Sequence, residues 1–101
     1  MAYSATDNLP AIHPGEILAD ELAALGMSAR KFAAHIGVPA NAVTEIINGD
    51  RRITAEMAVR LAKAFGTTEH YWLNLQIYHD AKIARITMRD KLAAIPRLVA
   101  A

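Results

Sequence analysis

The sequence has 101 residues, of which 53% are hydrophobic and 21% charged, with a formal net charge of +1 and no cysteine. This length suffices for one small domain, and the absence of cysteine excludes disulfides, thiol catalysis and cysteine-based zinc sites. No apolar run approaches the roughly 20 residues of a membrane span, and the first ten residues lack the basic and apolar stretches of a signal peptide, so we expect a soluble cytoplasmic protein.

The charge is unevenly distributed along the chain. Residues 1–26 sum to −4, residues 27–63 to +3 and residues 64–101 to +2. A basic central segment in a nearly neutral chain favours a local anion-binding face.

Apolar residues recur at helical spacing through most of the chain, and no segment alternates as a strand would. After a loose polar arm at residues 1–12, we expect a first helix that ends at Gly26. Ser28, Thr54 and Thr68 are suited to cap the second, fourth and fifth helices. The expected inner faces are Leu18, Leu22 and Leu25 in the first helix, Phe32, Ala33 and Ile36 in the second, Val43, Ile46 and Ile47 in the third, and Ala58, Leu61, Ala62 and Phe65 in the fourth.

The fifth helix, from Tyr71 to about Ile86, is apolar around most of its circumference. Such a helix has to be buried on more than one side, which so small a monomer can hardly achieve, so we expect a homodimer. A further helical turn or two is expected within residues 87–94, and residues 81–101 form a C-terminal helical extension assigned to dimerisation. The residues predicted at the dimer interface are Tyr71, Trp72, Leu75 and Tyr78.

The segment from Ser28 to Gly49 has the length and organisation of a helix-turn-helix unit. Gly37 permits a positive φ in the short turn, while Val43 and Ile46 anchor the third helix so that its other face meets solvent. That face carries small and polar side chains that fit the major groove of DNA, where Asn pairs with adenine, Thr contacts thymine and Glu accepts a hydrogen bond from cytosine. The first N–H groups of the second helix are suited to meet a phosphate.

Two levels of family resemblance follow from these residues. The run SARKFAAHIGVPANAVTEIINGDRRIT resembles the Cro/repressor-type (XRE) helix-turn-helix family. Four blocks that occur in matching order are similar to the HigA family of antitoxins: HPGEIL at 13–18, LGMSARKFA at 25–33, NGDRRITAEMAVRLAKAFGTT at 48–68 and YWLNLQIYHD at 71–80.

The resemblance implies an all-α fold, a five-helix Cro/repressor-like helix-turn-helix domain at residues 13–80 with an extended C-terminal helix. HigA proteins are homodimers that bind the operator DNA of their own operon and neutralise a RelE-like, ribosome-dependent mRNA-cleaving toxin, so DNA, a second copy and such a toxin are the implied partners. Base contacts are implied for Ala40, Asn41, Thr44 and Glu45, and phosphate contacts for Ala29, Arg30, Asn48, Arg51 and Arg52.

Two alternatives to the antitoxin function stay open: a stand-alone XRE-type regulator without a toxin, and a protein-binding module that has lost DNA binding. The second is suggested by Ala29 and Ala40, where many proteins of the wider family carry Gln, and by acidic Glu45. The side chain of Glu45 either reads a base, faces solvent or pairs locally with Arg30. The four histidines lack metal-binding spacing, and neither a catalytic motif nor a glycine-rich phosphate loop is present, so no metal, cofactor or enzymatic activity is expected.

Overall fold

The computed structural model describes residues 11–99, in which short turns connect six α-helices. No strand occurs within this range, which confirms the all-α prediction. The helices are α1 (Pro14–Leu25), α2 (Ala29–Ile36), α3 (Ala40–Ile47), α4 (Ala55–Phe65), α5 (Glu69–Thr87) and α6 (Arg89–Ala93).

The predicted boundaries of the domain segments can be compared with the helices of the structure. The loose arm predicted at 1–12 lies outside the described residues except for its last two. The extra turns expected after residue 87 are present as α6. The boundary assigned between residues 80 and 81 falls inside α5, which continues across it without a break. Between residues 11 and 99, no helix combines the length and apolarity that crossing a bilayer requires.

Hydroxyl caps set the starts of three helices, as predicted. Ser28, Thr54 and Thr68 each accept a hydrogen bond from the backbone N–H three residues further on, at 3.1, 3.2 and 3.2 Å. These bonds satisfy N–H groups that have no partner inside the helix. Between α2 and α3, Gly37 takes the left-handed conformation with φ of 76°, and the chain turns sharply there.

The predicted inner faces form one core, in which ten of the thirteen residues are at most 9% exposed. Ile47 and Phe65 pack against this core while remaining partly accessible. The prediction for Leu25 was wrong, because its side chain is 59% exposed. The left-handed turn at Gly26 redirects the chain, so that Met27 rather than Leu25 packs against the core.

The structure also corrects the burial expected for α5. Of its large apolar side chains only Trp72 is fully buried, whereas Tyr71, Ile77, Tyr78 and Ile83 are between 41 and 70% exposed. The exposed apolar side chains of α5 are therefore spread over more than one side of the helix, and Tyr71 and Tyr78, which are seven residues apart, share one of these sides.

Trp72 is buried inside the single chain and is therefore removed from the predicted dimer surface. Its ring centroid lies 5.6 Å from that of Phe65, and its Nε1–H donates to the hydroxyl of Thr67 at 3.0 Å. The side chain is 1% exposed, so it offers no area to a second copy.

His13 begins α1 through two reciprocal hydrogen bonds. Its Nδ1 accepts the backbone N–H of Gly15 at 2.9 Å, while the carboxylate of Glu16 accepts the backbone N–H of His13 at 3.0 Å. His13 is therefore the N-cap residue of α1. An imidazole nitrogen accepts only when it carries no proton, so this cap requires the neutral ring.

The cap predicts a pH-dependent stability. Burial and the adjacent His79 ring lower the pKa of His13 from 6.5, against the opposing charges of Asp80, Glu16 and Asp50. The folded state therefore binds fewer protons, and this contribution is complete above about pH 6.5 and is lost as the pH falls through the lowered pKa. Urea unfolding followed by circular dichroism should give a lower free energy of unfolding at about pH 5 than at about pH 8.

The matched control is His13→Asn, since an asparagine side chain caps a helix without titrating. Its free energy of unfolding should fall less over the same pH interval. An equal decrease in both proteins would contradict the role given to His13.

Candidate nucleic-acid interface

The outer face of α3 is polar because the inner face anchors the helix in the core. Ala42, Val43 and Ile46 are buried on one side. The opposite side carries all four residues predicted to face bases. Asn41 and Thr44 are exposed there, and Ala40 and Glu45 are partly exposed.

Three of the predicted site residues form a hydrogen-bonded cluster on this face. Both Nε and Nη2 of Arg51 donate to Oε1 of Glu45, at 3.0 and 2.8 Å. Nδ2 of Asn41 donates to the other carboxylate oxygen, Oε2, at 3.3 Å. Of the alternatives open for Glu45, the local pairing with Arg30 is wrong, because the turn after α3 brings Arg51 to the carboxylate instead.

The electrostatics of this cluster follow from its geometry. The hydrogen bonds from Arg51, together with its positive charge, hold the pKa of Glu45 below its ordinary value. The carboxylate is therefore ionised at neutral pH, and its negative charge is set directly against the guanidinium.

Arg52, the next residue, is held on the other side of the turn. Its Nη2 donates to Oδ2 of Asp80 on α5 at 2.5 Å. Partial burial of Asp80 opposes ionisation, yet the hydrogen bonds from Arg52 and Gln76 lower the pKa of this carboxyl. Arg51 and Arg52 are thus adjacent in sequence but fixed to different helices.

A buried amide on α5 fixes the turn that carries these arginines. Gln76 is 2% exposed, and its Oε1 accepts the backbone N–H of Ile53 at 2.7 Å. Its Nε2 donates to Oδ1 of Asp80 at 2.9 Å. Ile53 is itself 1% exposed, and its side chain packs in the hydrophobic core.

The helix-turn-helix unit also leaves the start of α2 accessible to solvent. Ala29 is partly exposed and Arg30 is exposed there. Their backbone N–H groups precede the first intrahelical bond of α2, which Phe32 makes to the carbonyl of Ser28. N–H groups in this position are the ones that bind phosphates at helix N-termini.

Sequence reasoning missed Gln76 and Asp80. One signal was available, since a glutamine within an apolar helical segment needs a partner if it is buried. Asn48, which had been placed against phosphate, is exposed at the C-terminus of α3. Along residues 11–99, no group of three His, Asp or Glu side chains is placed to hold a metal ion.

Comparison with known proteins identifies the class of this chain. A helix-turn-helix family model matches residues 18–72. Among relatives, the HTH-type transcriptional regulator YbaQ of Escherichia coli strain K12 is 47% identical over 79 residues, which are 77% of this chain and 70% of that protein.

Among solved structures, an addiction module antidote protein of the HigA family from Coxiella burnetii has a TM-score of 0.86 and 49% identity, covering 88% of this chain and 99% of that one. Antitoxin HigA of Pseudomonas aeruginosa, solved with the higBA promoter, has a TM-score of 0.86 and 35% identity, covering 89% of this chain and all of the other.

The fold and these matches define an XRE-type helix-turn-helix protein, a class of DNA-binding regulators and antitoxins rather than of enzymes. Within that class, the chain belongs to the HigA family. The resemblance stated from the four sequence blocks is confirmed.

The buried amide of Gln76 gives a prediction for stability. Gln76→Leu keeps the side chain large but removes the acceptor of the Ile53 N–H, so the free energy of unfolding should fall by about 1–3 kcal/mol. The matched control is Lys63→Leu, at an exposed position of α4, which should change it by no more than about 0.5 kcal/mol. Equal stability of Gln76→Leu and the wild type would contradict the anchoring role.

Proposed function

We propose that this protein is the antitoxin of a type II toxin–antitoxin module: a dimer that binds and represses its own operator and neutralises a RelE-like mRNA-cleaving toxin. The observation that supports DNA binding is the exposed polar face of α3, with its Glu45–Arg51 pair, together with the solvent-accessible start of α2. The likeness to a HigA antitoxin solved with its promoter supports the same part.

In the proposed complex, α3 enters the major groove. Asn41 and Thr44 approach base edges, and the methyl group of Ala40 leaves room for a close approach. The backbone N–H of Ala29 and the side chain of Arg30 meet the phosphate backbone at the start of α2. Asn48 and Arg52 meet it beyond the end of α3, where Arg52 exchanges Asp80 for a phosphate oxygen.

The proposed dimer uses the side of α5 that carries Tyr71 and Tyr78. Tyr71 is 44% exposed and Tyr78 is 70% exposed, and Leu75 lies partly exposed between them. Apolar area of this kind is stabilised when a second copy covers it. A two-fold dimer presents two copies of α3, so the operator should be a pseudo-palindrome with half-sites about one helical turn, or a multiple of it, apart.

A second candidate is a stand-alone XRE-type regulator without a toxin. It is favoured by the 47% identity to a protein described as an HTH-type transcriptional regulator. Both candidates require the same DNA interface, so only the presence of a toxin separates them.

For DNA binding, Arg30→Ala should weaken binding to operator and unrelated DNA by the same factor. The slope of log affinity against log salt should become shallower by about one, because one phosphate contact is lost. Titrations of labelled upstream DNA at several salt concentrations measure both quantities.

Lys63→Ala is the matched control, because it removes the same charge on α4, beside the opposite end of α2. It should leave both affinity and slope unchanged. If Arg30→Ala behaves like this control, Arg30 does not contact phosphate. If the wild type binds no DNA sequence selectively, the DNA-binding function itself is wrong.

For the dimer, Tyr78→Glu should shift the protein to a monomer at micromolar concentration, because a charge would be buried against an apolar face. Sedimentation velocity measures the mass directly. Val59→Glu is the control, since Val59 is also apolar and 55% exposed but lies on α4. A monomeric wild type, or equal effects of both substitutions, would contradict the proposed interface.

For the toxin, the open reading frame adjacent to the gene should arrest growth when expressed alone and not when expressed with this protein. Neutralisation requires a stable complex, so the two proteins should also co-purify. An adjacent product that is harmless alone, or toxic in both cases, would favour the stand-alone regulator.

A further inference from the structure

Glu45 sets the orientation of Arg51 by accepting hydrogen bonds from one edge of its guanidinium. Nε and Nη2 both donate to the same oxygen, Oε1. The second oxygen, Oε2, accepts from Asn41 on the preceding turn of α3. Oε1 thus holds one edge of the arginine, while Oε2 ties the carboxylate to the preceding turn of α3.

This arrangement leaves the other edge of Arg51 available. A guanidinium has five N–H donors, and the Glu45 contact uses one on Nε and one on Nη2. The remaining donors on Nη1 and Nη2 form the end-on fork. Such a fork matches the O6 and N7 acceptors of guanine in the major groove, and it also matches a phosphate.

The position of Glu45 distinguishes between these two ligands. Glu45 lies four residues after Asn41 on the outer face of α3. Its contact with Arg51 therefore holds the guanidinium next to the face proposed to meet the bases. A phosphate bound at the fork would bring its negative charge close to the ionised Glu45 carboxylate, whereas O6 and N7 of guanine are neutral acceptors. Arg52, in contrast, is held away from this face by Asp80.

We propose that Glu45 is a positioning residue that holds Arg51 for recognition of a guanine in the operator. This assignment rests on the proposed DNA-binding function and changes two roles predicted from the sequence. Arg51 reads a base instead of contacting a phosphate, and Glu45 acts through Arg51 instead of accepting a hydrogen bond from cytosine.

The test is a double-mutant cycle on base discrimination. The operator is first located by footprinting on the DNA upstream of the gene. Each guanine of one half-site is then replaced in turn by 7-deazaguanine, which removes the N7 acceptor and leaves base pairing intact. The ratio of affinities for unmodified and modified DNA is measured for the wild type, Glu45→Ala, Arg51→Ala and the double variant.

The wild type should lose roughly tenfold or more in affinity at one guanine. Arg51→Ala should abolish this sensitivity, and Arg51→Lys should abolish most of it, because lysine keeps the charge but has no fork. Glu45→Ala should reduce the sensitivity, and in the Arg51→Ala background it should have no further effect. Glu45→Gln should restore part of the sensitivity, since its amide oxygen still accepts from Arg51.

Three results would overturn the assignment. A uniform loss for Arg51→Ala at all sequences, with a salt slope shallower by about one, would make Arg51 a phosphate contact. An effect of Glu45→Ala that persists without Arg51, at a different base pair, would make Glu45 a direct reader. Uniformly tighter binding by Glu45→Ala would make it only a repulsive charge.

The failure of the proposed function is distinguishable from all three. If the wild type gives no footprint and binds its upstream DNA no better than unrelated DNA, the function is wrong and the assignment with it. If the wild type gives a footprint but is insensitive to every 7-deazaguanine, the function stands and the assignment of Arg51 is wrong.

Discussion

The hydrogen bond from the Ile53 backbone N–H to the buried Gln76 amide is the constraint on which the proposed recognition surface depends. The stretch from Asn48 to Thr54 has no regular secondary structure to hold it, yet it carries both arginines that follow α3. A buried polar group is costly unless it is hydrogen-bonded. The Ile53 N–H and the Gln76 side-chain oxygen satisfy each other, and either would be unpaired without its partner. The same amide then bonds to Asp80, which in turn holds Arg52.

Through this anchoring, one helix, α5, serves both the proposed DNA interface and the proposed dimer interface. Trp72, Gln76 and Asp80 recur at intervals of four residues, and they face the core and the turn. Tyr71 and Tyr78 point to the open side of the same helix. In the proposed dimer, α5 therefore sets the distance and angle between the two copies of α3. Half-site spacing in the operator would then be a property of α5 as much as of α3.

The sequence predicted the parts of this structure that depend on local chemistry. Caps such as Ser28 and Thr68, the turn at Gly37 and the inner faces of α2 to α4 follow from residues within one or two turns of each other. Contacts between distant residues were not predictable in the same way. The partner of Gln76 is 23 residues away and that of Arg52 is 28 residues away. The burial of Trp72 within one protomer depends on how α4 and α5 pack, because helical spacing alone does not tell a core residue from an interface residue.

The two acidic residues of the interface have a common physical role. Glu45 and Asp80 each neutralise an arginine in the free protein. An arginine that is already paired contributes less to the sequence-independent attraction that phosphates exert on any basic surface. For Arg51, which keeps its pair with Glu45 in the proposed complex, the contribution becomes favourable only where DNA offers acceptors in the geometry that the pair leaves open. Arg52 has to give up Asp80 before it can bind a phosphate. Specificity is the difference between the affinity for the operator and the affinity for unrelated DNA. Weaker binding to unrelated DNA therefore widens this difference as effectively as tighter binding to the operator. The small net charge of this chain is compatible with selective DNA binding for the same reason.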